Sequence, residues 1–99
     1  MTDLEITRLC AEAMGCIVFE PVGTQWDAKM PNGAWLCNYD PLHDDVQVMA
    51  LAKRFTLCCL WGGTDWEVNH YGEGTALNAD LNRAICECVA KIQATKAKP

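Results

Sequence analysis

Seven cysteines and two histidines are the residues of this 99-residue chain whose types could carry bond-making chemistry. A serine nucleophile is excluded, because the chain contains no serine. A thiolate with an imidazole base is the remaining nucleophilic option, with Cys37, nearest a loop, beside His43 or His70. The surroundings favour packing instead. Cys10, Cys16, Cys58, Cys59, Cys86 and Cys88 lie in helix-like or strand-like segments, where a free thiol behaves as a small buried hydrophobe. Neighbours on a strand, such as Cys58 and Cys59, point to opposite faces, and residues two apart on a helix, such as Cys86 and Cys88, diverge. Neither pair shares a metal readily, so no metal and no cofactor are expected. Gly62-Gly63-Thr64 and Gly72-Glu73-Gly74-Thr75 lack the lysine of a phosphate loop and read as turns. Asp44 and Asp45 diverge by about 100° around a helix axis, which suits the positive end of a helix dipole better than acid-base work. No catalytic residue is assigned, and the chain reads as a non-enzyme.

The aromatic and acidic residues point to binding. Trp26, Trp35, Trp61 and Trp66 fall in or beside strand segments, where packing in the core or hairpins is the expectation for most of them and an exposed pair at a hairpin edge is the expected anchor of a protein interface. Trp26 and Trp35 around the Asn32-Gly33 turn, with Asp27, Asp44 and Asp45 steering a basic partner, form the candidate contact surface. Charge supports that sign: residues 1–82 hold 12 acids against 4 bases, whereas residues 83–99 hold 1 acid against 4 bases. Four bases near a terminus make too small a footprint for nucleic acid, so no direct nucleic-acid binding is expected. No run of about 18 apolar residues is present, so no membrane span is expected. The opening Met-Thr-Asp-Leu-Glu lacks a signal peptide's features and the cysteine count is odd, which predicts reduced thiols in a cytoplasmic protein.

The elements that would position these residues follow from periodicity. Thr2 with Glu5 is a capping box, and Ile6, Leu9, Cys10 and Ala13 continue a helix that stops at Gly15. Cys16 to Glu20 reads as a strand closed by Pro21, and Pro31-Asn32-Gly33 as the turn of a hairpin. Asp40-Pro41 predicts a cap and first turn of a helix reaching Arg54, with Leu42, Val46, Met49 and Ala50 inward, although Lys53 interrupts that stripe. The apolar run Thr56 to Trp61 predicts a central strand covered on both faces. Trp66 to Tyr71 alternates as a half-buried strand, Gly72 to Ala76 reads as a loop, and Asn78 or Asp80 caps a last helix. Leu81, Ile85, Cys88, Val89 and Ile92 give that helix the cleanest amphipathic stripe, while residues 94–99 read as a mobile tail. The sum is one α+β domain over residues 1–99: a three-layer α/β/α sandwich with three helices and a small, mostly antiparallel sheet.

Met14-Gly15 after the first helix, Asn38-Tyr39-Asp40-Pro41-Leu42 with Asp44-Asp45 running into Met49-Ala50-Leu51-Ala52, and Ala84-Ile85-Cys86 with Ala90 together resemble the small bacteriophage α/β/α-sandwich proteins, the phage ABA sandwich family. The resemblance covers nearly the whole chain. It implies a sandwich fold and an origin in a phage or prophage, but no activity and no catalytic residues. The reading that follows is a phage accessory protein that binds a host protein with a basic surface, inhibition of a host defence system in the manner of an anti-CRISPR being one concrete version. The alternatives are a small enzyme or ligand-binding protein using a cysteine or a sheet-edge pocket, and a structural oligomer such as a homodimer.

Overall fold

The computed structural model describes residues 1–22, 25–29, 33 and 35–97, with backbone alone for residues 17–22, 25–28, 35–38 and 97. Three helices combine with antiparallel strands in an α+β sandwich. The elements are α1 (Asp3–Ala13), β1 (Ile17–Val22), β2 (Gln25–Lys29), β3 (Trp35–Tyr39), α2 (Asp45–Phe55), β4 (Cys58–Trp61), β5 (Trp66–His70), β6 (Glu73–Asn78) and α3 (Leu81–Ala97). The strands divide into two three-stranded antiparallel sheets, ordered β1-β2-β3 and β4-β5-β6.

Local chemistry sets the helix ends. The Glu5 N–H donates to Thr2 Oγ1 at 3.1 Å, the expected cap of α1, and Gly15 leaves that helix with φ +79°. Asp44, not Asp40, caps α2: its Oδ1 accepts from the Gln47 N–H at 3.0 Å. The Asp40 carboxylate is taken instead by His43, and Gln47 Oε1 accepts from the Asp40 N–H at 2.7 Å. Pro41, Leu42 and His43 form a turn ahead of the helix rather than its first turn.

The inward stripe of α2 also differs from expectation. Val48 and Leu51 are fully buried, while Val46 is 81% exposed and Met49 and Ala50 face solvent. Two apolar stripes share this helix, one through Val46, Met49, Ala50 and Lys53 and one through Val48, Leu51 and Phe55. Burying the first would have taken the Lys53 charge with it, so the second faces the core.

Helix α3 is the centre of the molecule. It packs on α1 and α2 and against β5 and β6, and α1 in turn meets β1 and β2. Of the expected stripe, Ile85, Cys88, Val89 and Ile92 are buried and Leu81 is half-buried against the core, and Ala84, Cys86 and Ala90 are buried as well. Small residues on the second face let α1 and α2 approach closely. The helix continues to Ala97, so the expected tail from residue 94 is helical over most of its length.

Three strand expectations change. The run before Trp61 does not make a central strand: Thr56 is the left-handed C-cap of α2 at φ +51°, and β4 is an edge strand whose Leu60 is 53% exposed. Pro21 lies inside β1 rather than after it, on an edge strand at a shift of register between Phe19 and Val22, where a missing N–H costs no ladder bond. Glu73 to Ala76 is strand β6 rather than loop. Its glycine is there for proximity: a Cβ on Gly74 would stand 2.7 Å from Ile92 Cγ1 and 2.8 Å from the Cys88 carbonyl oxygen. The hairpin between β2 and β3 forms, but Pro31 and Asn32 of its turn lie outside the described residues.

Candidate protein-binding surface

The residues expected at the contact surface lie on β2, on β3 and at the start of α2. Trp26, Asp27 and Trp35 sit in the first sheet, with Trp26 opposite Tyr39, Asp27 opposite Phe19 and Trp35 opposite Lys29. Their side chains lie outside the described residues. Asp44 is occupied as a helix cap, and Asp45 Oδ1 accepts from Asn82 Nδ2 at 2.9 Å, which ties the start of α2 to the start of α3. A parallel tie joins α1 to α3 through Arg83 and Asp3 at 2.9 Å.

The thiols divide by environment. Cys10, Cys16, Cys86 and Cys88 are buried, whereas Cys59 is half-buried and Cys58 exposed, so the expectation of burial fails for Cys58 alone of those six. Cys10 Sγ donates to the Cys86 carbonyl at 3.4 Å. A side-chain hydrogen bond with Cys86, then burial, pushes the Cys10 thiol far up, and burial pushes Cys88 up to about 11. These sulfurs stay protonated at neutral pH and are poor nucleophiles.

The histidines have separate partners. His43 Nδ1 lies 2.8 Å from Asp40 Oδ2, and that hydrogen bond, then the charges of Asp40, Asp3 and Asp80, hold its pKa above the ordinary value. His70 donates Nδ1–H to the Phe55 carbonyl at 2.6 Å and stacks edge-on with Phe55 and Tyr71. A pocket of about 340 Å³ beside His43 is lined by Thr7, Tyr39, Asp3 and Asp40 with apolar neighbours, and no cysteine with a described side chain borders it. Among the described residues, no three His, Cys, Asp or Glu side chains are grouped to hold a metal, and no helix is long and apolar enough to cross a membrane.

One face of the second sheet is covered by no described element. Its register places Cys59, Val68 and Ala76 in one row on the core side, where Val68 and Ala76 are buried. The next row, Leu60, Glu67 and Leu77, is therefore on the opposite face, with Leu77 64% exposed. Trp61, 54% exposed, lies on the other face with Cys59 and Val68, where it packs against Trp66 at 5.3 Å between ring centres beside the Gly62-Gly63 turn. Residues 58–80 contain four carboxylates, Asp65, Glu67, Glu73 and Asp80, and no lysine or arginine. Lys91 and Lys96 approach from α3, where Lys91 Nζ donates to the Thr75 carbonyl at 2.8 Å. Leu60 and Leu77 were missed at the sequence level because an unbroken apolar run reads as buried and a Gly-x-Gly stretch reads as loop. The absence of any base over residues 58–80 was the available signal.

The chain matches no family model, no curated protein and no solved structure.

Proposed function

We propose that this chain is a binding protein that acts by occupancy rather than turnover, and that the β4-β5-β6 sheet is its contact surface. The observation that carries the reading is the row Leu60-Glu67-Leu77, with exposed leucines at both ends, a half-buried carboxylate at its centre and no described element covering it. Isolated exposed leucines are ordinary, but two leucines in one row on the outer face of a regular sheet are a patch of the kind that marks an interface. Its charge sets the partner: a protein surface on which apolar residues alternate with lysine or arginine. In the setting implied by the resemblance to phage sandwich proteins, the partner is a basic host protein in the bacterial cytoplasm, and occupying its nucleic-acid-binding surface inhibits a defence system.

The test compares the wild type with Leu60→Lys/Leu77→Lys as bait in bacterial lysate. The reading requires a basic protein retained in near-stoichiometric amount by the wild type, released by salt and lost in the double variant, whose melting temperature stays unchanged. Retention of the same proteins by both baits overturns it.

A further inference from the structure

The backbone of the second sheet suggests how such a partner attaches. The Gly62 N–H donates to the Asp65 carbonyl at 2.9 Å, and the register continues as Trp61 with Trp66, Leu60 with Glu67, Cys59 with Val68 and Cys58 with Asn69. Opposed pairs in an antiparallel ladder alternate between bonded and non-bonded. If 62/65 is bonded, then 60/67 and 58/69 are bonded, while Cys59 and Trp61 turn their N–H and C=O groups away from β5. Those four groups line the open edge of the sheet.

This edge lacks most of the devices that keep sheet edges from pairing. The β1 edge carries Pro21 and a break in register. The β6 edge packs on α3 and receives Lys91 at the Thr75 carbonyl. β4 has no proline, no lysine and no break in register, and its one protection is its length of four residues. A second copy of the chain is a poor occupant, since it would bring Asp65 and Glu67 of both copies onto one sheet with no base between residues 58 and 80 to offset them. A basic segment reverses that sign.

We propose that β4 accepts an extended segment of a basic partner as an added strand, in which apolar residues on the Cys59 and Trp61 face alternate with lysine or arginine on the opposite face, reaching across Leu60 to Glu67 and Asp65. This inference rests on the binding reading above and specifies its mode.

The probe is the blocked hexapeptide Val-Lys-Val-Lys-Val-Lys, with Val-Glu-Val-Glu-Val-Glu as its counterpart, titrated into labelled protein and followed by NMR and amide exchange. Cys59→Ala removes the thiol and keeps the N–H; Cys59→Pro removes both and blocks the edge without breaking a bond to β5. The lysine peptide should bind wild type and Cys59→Ala within about twofold of each other, and Cys59→Pro at least about tenfold more weakly. Saturating peptide should slow exchange of the Cys59 and Trp61 amides at least about tenfold and leave Cys58 and Leu60 unchanged. If Cys59→Pro is unfolded, the wild-type exchange pattern alone decides. Equal binding to the two Cys59 variants, equal binding of the glutamate peptide, no binding of either peptide, or a dimer in which those two amides are already protected each overturns strand addition. A peptide that binds both Cys59 variants but not Leu77→Lys removes the edge mode and leaves the sheet face as the contact surface.

Discussion

Gly74→Ala tests the packing of β6 on α3, and the structure sets its magnitude. The residue has φ +65°, and the added methyl would meet Ile92 Cγ1 at 2.7 Å, Ile92 Cδ1 at 3.2 Å and the Cys88 carbonyl oxygen at 2.8 Å. Left-handed backbone costs a residue with a Cβ about 1–2 kcal/mol. Forcing a methyl into an occupied site costs about 1–3 kcal/mol more. The sum, about 2–5 kcal/mol, corresponds to a fall of about 10–30 °C in Tm for a domain of this size. Gly63→Ala is the control, because φ is +95° but nothing lies within 4 Å of the added Cβ. It should cost only the conformational part. Urea denaturation of both variants checks the difference. Repeating Gly74→Ala in an Ile92→Ala background should recover about 1 kcal/mol and no more than part of the loss, since the Cys88 carbonyl stays in place. A Gly74→Ala cost within about 0.5 kcal/mol of the Gly63→Ala cost would refute the close approach.

Ile85→Ala should cost about 2–5 kcal/mol in the same assay, because Ile85 is fully buried on the central helix, while exposed Lys53→Ala should cost less than about 0.5 kcal/mol. Among Cys10, Cys58, Cys86 and Cys88, a disulfide reagent should modify Cys58 first in the folded protein and the buried three only on unfolding, as site-resolved mass spectrometry would show; early labelling of Cys10 would contradict its burial. His43 has a folded pKa raised by Asp40, so their interaction stabilises fully below the ordinary imidazole value of 6.5 and is lost as pH rises through the folded value. An NMR titration of His43 should therefore move to lower pH in Asp40→Asn, and an unchanged midpoint would rule out the pair.

The features decided within a few residues were legible in the chain. Thr2 with Glu5, the glycine after α1 and the stripe through Ile85, Cys88, Val89 and Ile92 report interactions inside one helix, and the structure shows each of them. So does the α+β class, which follows from where the period of the apolar pattern changes. Other features depend on what lies across a gap of many residues. An apolar run states that a strand can be buried, but only strand order determines whether neighbours cover it, and β4 ends at an edge with Leu60 in solvent. Gly74 looks like a turn residue until Ile92 and Cys88 occupy the space beside it. Asp40 and Asp44 offer equal capping chemistry, and the side chains of His43 and Gln47 decide between them. The two stripes of α2 have comparable apolar character, and the core selects the one that leaves Lys53 outside. The acidic, lysine-free stretch over residues 58–80 was present in the sequence throughout, but only the pairing of β4, β5 and β6 lays Leu60, Glu67 and Leu77 side by side, because sheet register brings together residues that chain order keeps apart.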